Sequence, residues 1–129
     1  MTTPLKRILC VEDEPDIRAV LQMSLEMVGG FTVACASSGA EAITMAPGFA
    51  PDIILLDVMM PGMDGPTTLQ RLRELPAVAA TPVVFITAKV QPNEVAQFRA
   101  LGAVDVVAKP FDPMRLSAEV AAIWERVHG

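Results

Sequence analysis

Short apolar runs alternate with longer amphipathic stretches along the whole chain. The apolar runs, rich in β-branched residues, occupy positions 8–11, 31–36, 53–56, 82–87 and 104–108. Each is followed by a stretch with apolar residues at helical spacing, at about 15–28, 38–48, 64–74, 92–101 and 112–127. Five strand–helix units with short connections predict an α/β domain built on one parallel sheet.

Several helix boundaries are marked by residues with known preferences for helix ends. Pro15 stands where the first turn of a helix tolerates proline. Ser38 and Glu41 have capping-box spacing at the start of the second helix. Pro47 predicts that this helix ends near residues 47–48, and Asp112 predicts the start of the last helix.

The composition restricts the classes of function. The length of 129 residues is that of one ordinary domain, so we expect a single domain over 1–129. The net charge of −5 gives the chain no general attraction for phosphate backbones, which argues against nucleic acid as a direct partner. The apolar run near the N-terminus is too short for a secretory signal, and the longest uncharged run, 75–88, is too short to span a bilayer. We expect a cytoplasmic protein without membrane insertion.

Cysteine and histidine are scarce. The chain has two cysteines, Cys10 and Cys35, and its histidine is His128 near the end. These residues are too few for a zinc site of the usual ligand count. Because both cysteines lie in apolar runs, we expect two buried free thiols in a reducing compartment.

Chemically active side chains follow four of the five predicted strands. Glu12 and Asp13 come after the first, Asp57 after the third, Thr87 at the end of the fourth and Lys109 after the fifth. Ligands bind at the carboxyl edge of open α/β sheets, so these residues should meet there. A cluster of carboxylates is unfavourable unless a cation joins it, and oxygen ligands of this kind suit Mg²⁺.

Each of these residues has an ordinary structural explanation when taken alone. An acidic residue at a strand end is more often a helix cap, as we expect for Asp64. Asp13 could likewise cap the first helix, and Lys109 could be a solvated loop residue. The acid pair, Asp57, Thr87 and Lys109 all occur at strand ends of one predicted sheet, and this coincidence favours the functional interpretation.

Four segments together resemble the receiver domain of bacterial two-component response regulators. They are Glu12-Asp13, the stretch 57–65 with the sequence Asp-Val-Met-Met-Pro-Gly-Met-Asp-Gly, Thr87-Ala88, and 109–111 with the sequence Lys-Pro-Phe. The resemblance implies a flavodoxin-like (βα)₅ three-layer sandwich with strand order 2-1-3-4-5. It implies a stand-alone receiver without an output domain, similar to the chemotaxis regulators.

The resemblance also assigns the metal ligands. Asp57 would accept the phosphoryl group and bind Mg²⁺. Asp13 would bind the metal directly, Glu12 through water, and Met59 through its backbone carbonyl. Phosphoryl transfer depends mostly on positioning and charge neutralisation, which this set would supply.

The remaining roles concern the phosphoryl group and its readout. Thr87 would donate its hydroxyl and Ala88 its backbone N–H to phosphoryl oxygens, and Lys109 would pair with the group. The Lys109–Pro110 peptide would be cis. Receivers usually have an aromatic residue where this chain has Val106, so the usual aromatic readout is in doubt.

Three other functions share parts of this residue pattern. A haloacid-dehalogenase-type phosphatase would need a second acid at the position of Met59. A flavodoxin needs a phosphate-binding loop where residues 12–14 are all acidic, which would repel an anion. The main alternative is a degenerate receiver that acts only as a phosphorylation-independent interaction module.

The expected partners follow from the resemblance. A sensor histidine kinase or a phosphotransfer protein would supply the phosphoryl group, and an unidentified downstream protein would read the result. The chain would catalyse only its own phosphorylation and dephosphorylation, so we do not class it as an enzyme. We expect a monomer or a weak dimer.

Overall fold

The fold is described for residues 3–128 by a computed structural model. Its strands are β1 (Arg7–Val11), β2 (Thr32–Ala36), β3 (Ile53–Asp57), β4 (Val83–Thr87) and β5 (Asp105–Ala108). Its helices are α1 (Pro15–Met23), α2 (Gly39–Phe49), α3 (Gly65–Arg73), α4 (Pro92–Ala100) and α5 (Leu116–His128). The predicted alternation of strand and helix is confirmed.

The strands form one parallel sheet in the order β2-β1-β3-β4-β5, as expected. Two apolar clusters cover its faces: residues of α1 and α5 pack on one face, and residues of α2, α3 and α4 pack on the other. Every residue of β3 and of β4 is buried, as a central strand covered on both sides requires. The result is the three-layer α/β sandwich.

Strand register determines which residues meet at the carboxyl edge. Val11 of β1 lies opposite Leu56 of β3, and Asp57 lies opposite Ile86 of β4. Residues that follow β1 are therefore level with the end of β3, and Thr87 lies one position beyond the partner of Asp57.

The first helix differs from the prediction in its last turn. The α-helix ends at Met23, and the chain continues as a π-helical turn over Ser24–Val28. The Ser24 hydroxyl donates a hydrogen bond to the Pro113 carbonyl, and the Ser117 hydroxyl donates to the Ser24 carbonyl at 3.3 Å. These contacts tie the end of α1 to the segment that begins α5.

The second helix begins as predicted but does not end as predicted. The Glu41 N–H donates to the Ser38 hydroxyl at 3.1 Å, which confirms Ser38 as the cap, but the Glu41 carboxylate accepts the N–H of Ser37 at 2.8 Å and not that of Ser38, so the reciprocal bond of a capping box is not formed. The predicted end near Pro47 is wrong, because Pro47 lies inside the helix. Its missing N–H removes one bond, and the helix closes later, where Ala50 takes a left-handed φ of 53° and donates to the Ala46 carbonyl.

The predicted start of the last helix also needs correction. Asp112 accepts a hydrogen bond from the Met114 N–H at 2.9 Å, and residues 113–115 form a turn. The regular helix begins at Leu116, whose N–H donates to the Asp112 carbonyl. Asp112 therefore orders the approach to α5. Within residues 3–128, no helix has the length and apolar character needed to cross a membrane.

Candidate functional site

Three carboxylates meet at the carboxyl edge of the sheet. Glu12 and Asp13 follow β1, and Asp57 is the last residue of the adjacent strand β3. One carboxylate oxygen from each residue lies within 4.8 Å of the others. Glu12 and Asp57 are buried, whereas Asp13 is partly exposed. The register of two buried strands thus produces the predicted acidic cluster.

Lys109 joins two members of this cluster. Its Nζ lies 2.8 Å from Glu12 Oε1 and 3.3 Å from Asp57 Oδ1. The lysine follows β5, two strands away from β3, and its long side chain reaches back across the end of β4. The ammonium is therefore the positive partner of both buried carboxylates.

The site carries more negative than positive charge. Burial and the nearby charge of Glu12 raise the pKa of Asp57 to about 6, despite the ammonium of Lys109. Burial opposes the charged form of Lys109, but its hydrogen bond to Glu12 and the charge of Asp57 outweigh that effect and raise its pKa. One lysine thus leaves the three carboxylates incompletely neutralised.

Arg18 shapes the loop that carries the acidic pair, a role the sequence analysis missed. Its guanidinium donates to the carbonyl oxygens of Glu12 and Asp13, at 2.9 and 3.2 Å. The second carboxylate oxygen of Glu12 accepts the N–H of Glu14 at 3.2 Å. An arginine one turn into a helix resembles any solvated helix residue, so the sequence offered no signal for this contact.

Thr87 and Ala88 lie beside the cluster at the end of β4. Thr87 is buried, and its hydroxyl accepts the N–H of Lys89 at 3.0 Å. Its carbonyl accepts the N–H of Lys109 at 2.9 Å, which links the ends of β4 and β5. Ala88 is exposed at the start of the loop to α4. The hydroxyl is thus turned toward its own loop.

Three further predicted positions lie on the strands and loops next to the cluster. Met59 is 67% exposed in the loop after β3. Val106 is half-buried on β5 and packs against the apolar cluster beneath α2, α3 and α4. The Lys109–Pro110 peptide bond is cis, as the resemblance implied.

Gly65 packs closely against the end of β3, a second role that the sequence did not reveal. A Cβ at this position would lie 2.7 Å from the Asp57 carbonyl oxygen and 2.8 Å from the Val58 Cα. The Gly65 N–H donates to the Val58 carbonyl at 2.9 Å. Asp64 caps α3, as the sequence indicated. The missing side chain of Gly65 also lets α3 begin directly against the end of β3.

An apolar groove of about 530 Å³ opens beside the site. It runs between α1 and the loop after β5. Its lining includes Ile17, Val20, Pro110 and Phe111, with Lys109 at the end toward the carboxylates. A partner seated in this groove would lie next to the acidic cluster.

Comparison with known proteins assigns the family. Residues 8–121 match the response regulator receiver domain. The chain belongs to the receiver-domain family. This membership rules against the haloacid-dehalogenase and flavodoxin alternatives.

The receiver domain has relatives among transcriptional regulators. It is 40% identical over 121 residues to the alkaline phosphatase synthesis transcriptional regulatory protein PhoP of Bacillus subtilis, covering 94% of this chain and 49% of that protein. It is 38% identical over 126 residues to the DNA-binding response regulator MtrA of Mycolicibacterium smegmatis, covering 98% and 54%. The chain thus spans about half the length of these relatives.

Solved structures of receiver domains have the same fold. The chemotaxis response regulator CheY4 of Vibrio cholerae superimposes with a TM-score of 0.85 at 28% identity, covering 93% of this chain and 99% of that one. A putative response regulator from Chloroflexus aurantiacus gives a TM-score of 0.83 at 32% identity, covering 95% and 100%. The flavodoxin-like architecture expected from the resemblance is therefore confirmed.

Proposed function

We propose that this receiver domain is a phosphorylation-dependent switch with Asp57 as the acceptor. The carboxylate of Asp57 attacks phosphorus, a P–O bond forms as the bond to the donor breaks, and an acyl phosphate results. The donor is a phosphohistidine on a sensor histidine kinase or a phosphotransfer protein. The observation that carries this proposal is the buried Asp57 with Glu12, Asp13 and Lys109 gathered around it.

The donor set suits Mg²⁺. Its ligands are hard carboxylate oxygens within 4.8 Å of one another, and burial together with the charge of Glu12 raises the pKa of Asp57, so a cation there would stabilise the ionised cluster. Asp13 and Asp57 would hold the ion directly, Glu12 through water and Met59 through its carbonyl. When bound, Mg²⁺ supplies charge neutralisation for the phosphoryl oxygens.

The remaining site residues would act on the transferred group. The Lys109 ammonium, 3.3 Å from Asp57 in this state, pairs with a phosphoryl oxygen after transfer. The Thr87 hydroxyl leaves the N–H of Lys89 and donates to another oxygen, and the N–H of Ala88 donates beside it. Movement of Thr87 draws the loop to α4 inward, which gives a downstream protein a changed surface to bind.

The groove along α1 supports the assignment of a protein donor. Its apolar walls end at Lys109, so a helix of the donor lying in the groove would present a phosphohistidine at the acceptor. The degenerate-receiver alternative finds less support, because the acceptor, the acid pair and the lysine are all present and close together.

Labelling with a small-molecule donor tests the acceptor. Acetyl phosphate should phosphorylate the protein only when Mg²⁺ is present, and Asp57→Asn should abolish labelling because amides are not nucleophilic enough to attack. Glu119→Gln removes an exposed carboxylate on α5, outside the groove, and should label normally. Intact mass and acid-labile phosphate report the outcome. Stoichiometric labelling of the Asp57 variant, or wild-type labelling without divalent cation, would contradict the proposal.

The stand-alone organisation stays a prediction of its own. The related regulators are about twice as long as this chain. The mass of the native protein isolated from its source cells decides it. A mass matching these 129 residues supports the prediction, and a larger chain with an additional domain refutes it.

A further inference from the structure

The two cysteines lie side by side in the sheet. Cys10 of β1 is the direct register partner of Cys35 of β2. Both side chains belong to the face covered by α1 and α5. Neighbouring strands are about 4.8 Å apart, and a disulfide joins residues whose Cα atoms are roughly 4.4–6.8 Å apart. The register therefore brings the two cysteines close enough for a disulfide after a small adjustment of their side chains and backbone.

The two thiols differ in access to solvent. Cys10 is fully buried, as predicted, but Cys35 is only half-buried, which corrects the expectation of two buried thiols. The difference arises because β2 is an edge strand, so α1 covers Cys35 incompletely. The Cys35 thiol donates a weak hydrogen bond to Gln22 Oε1 on α1, with 3.8 Å between Sγ and Oε1.

The surroundings of Cys35 favour its reactive form. The interaction with the neighbouring Cys10 thiol lowers the pKa of Cys35, and the positive charge of Arg18 adds to this effect, against burial and the charge of Glu26, which raise it. Redox-sensing cysteines are accessible, have a lowered pKa and stand next to a second cysteine. The pair has this arrangement, on the face of the sheet that α1 and α5 cover.

We propose that Cys10 and Cys35 form a reversible thiol–disulfide site in which Cys35 reacts first and Cys10 resolves. The oxidant is a hydroperoxide. The Cys35 sulfur takes the terminal oxygen of the peroxide, giving a sulfenic acid and releasing an alcohol or water. The Cys10 sulfur then attacks the Cys35 sulfur, and its proton leaves with the displaced hydroxide as water. The sulfurs lose two electrons in all, and a thiol reductant reverses the change.

Thiol counting on the full chain tests this site. The folded protein is exposed to hydrogen peroxide, quenched with catalase, denatured and alkylated. Both thiols should disappear together and return after dithiothreitol treatment. Cleavage by trypsin after Arg18 separates the two cysteines, so an internal disulfide should appear as two linked peptides lighter by two hydrogen atoms. In denaturant the same bond should form more slowly, because only the fold holds the thiols adjacent.

Two alanine variants distinguish the roles. Cys35→Ala changes a half-buried position. In this variant Cys10 should keep its thiol under the same hydrogen peroxide treatment. In Cys10→Ala, Cys35 should be trapped as a sulfenic acid by dimedone, with circular dichroism to verify folding. The proposal is overturned if wild-type Cys35 is over-oxidised while Cys10 stays reduced, if disulfides join separate chains, or if both thiols survive. Equal rates in denaturant would also overturn it.

Discussion

Asp57 is a buried carboxylate held between a like charge and an opposite one. Lys109 contacts it at 3.3 Å, yet the same ammonium is closer to Glu12, at 2.8 Å. Burial and Glu12 together outweigh the lysine and raise the pKa of Asp57 to about 6. The ionised form of Asp57 therefore costs folding free energy.

Neutralising Asp57 should stabilise the fold. Because the pKa is higher in the folded state than in the unfolded chain, ionisation above about pH 4 favours unfolding. Asp57→Asn, measured by urea unfolding with a chelator present, should gain about 1–3 kcal/mol at pH 7. The gain should shrink as pH falls from 6 to 4 and vanish below that, where the carboxyl is protonated in both states. A less stable Asn variant at pH 7 would contradict the charge balance described here.

Adding a side chain at Gly65 should destabilise the fold. A methyl group there would press on backbone atoms of Asp57 and Val58 at 2.7 and 2.8 Å, which cannot rotate away. Gly65→Ala should cost about 1–3 kcal/mol of stability and slow phosphorylation by acetyl phosphate, because the acceptor is displaced.

The matched control is Gly48→Ala in α2. A Cβ at Gly48 meets nothing within 4 Å. This variant should be neutral or more stable by up to about 1 kcal/mol, with normal phosphorylation. If both variants behave alike, close packing at Gly65 is not the cause.

The residues that form the site could be predicted from the sequence, whereas the contacts among them could not. Each main residue stands at a strand end, and strand ends can be located from apolar runs. Arg18 and Gly65 act through contacts with backbone atoms that no local pattern encodes. The pairing of Lys109 with Glu12 joins residues 97 positions apart and depends on the completed sheet.

Among the elements, strands were easier to predict than helix ends. The run 53–56 and the charge that follows it locate β3 almost to the residue. Helix ends are harder to predict because local signals compete with packing. The α2 helix continues past Pro47. After Asp112 the chain forms a turn before the regular helix α5 begins. The π-helical turn after α1 had no sequence signal.

The edge strand β5 carries an ion-pair network. Asp105 pairs with Arg99 of α4 at 3.2 Å and with Arg126 of α5. Burial works to raise the pKa of Asp105, but hydrogen bonds from the Val106 N–H and the two guanidinium groups outweigh it and lower the pKa. The network therefore joins two helices through one carboxylate.

Asp105→Asn should remove the charge while retaining an acceptor for the Val106 N–H. The expected loss is up to about 1 kcal/mol at pH 7. Because the folded pKa is lowered, this contribution is present above the unfolded value and disappears as pH falls through the folded one, so the variants should converge in acid. Asp112→Asn, whose partner Arg115 is exposed at 3.7 Å, is the control and should change little. A pH-independent loss would refute the ionic origin.

Across the whole molecule, the helices are attached to the sheet unequally. None of the residues of α4 (Pro92–Ala100) is buried. Phe98 of α4 contacts Phe85 edge-on, with ring centroids 5.3 Å apart. The chain has Val106 where receivers usually have an aromatic, and a β-branched residue cannot swing between distant rotamers. In the proposed switch, the lightly attached α4 would provide another route for the signal.

Amide chemical shifts with beryllofluoride and Mg²⁺ test this route. We expect changes in the loop after Thr87, in α4 and in β5, because drawing Thr87 toward the acceptor pulls on the segment that begins α4. The Asp57→Asn protein serves as the control and should show none of them. Changes limited to the neighbours of Asp57 would eliminate α4 as the transmitter.

The indole of Trp124 has a practical consequence. Its Nε1 donates to the Thr3 carbonyl at 2.7 Å, near the amino-terminal edge of the sheet and at the opposite end from the carboxylates. It is the one tryptophan among the 129 residues, and no tyrosine accompanies it. Its fluorescence therefore reports whether the chain is folded. Because the indole lies at the opposite end from the carboxylates, ligands bound there should leave the fluorescence unchanged, and metal titrations need a different probe.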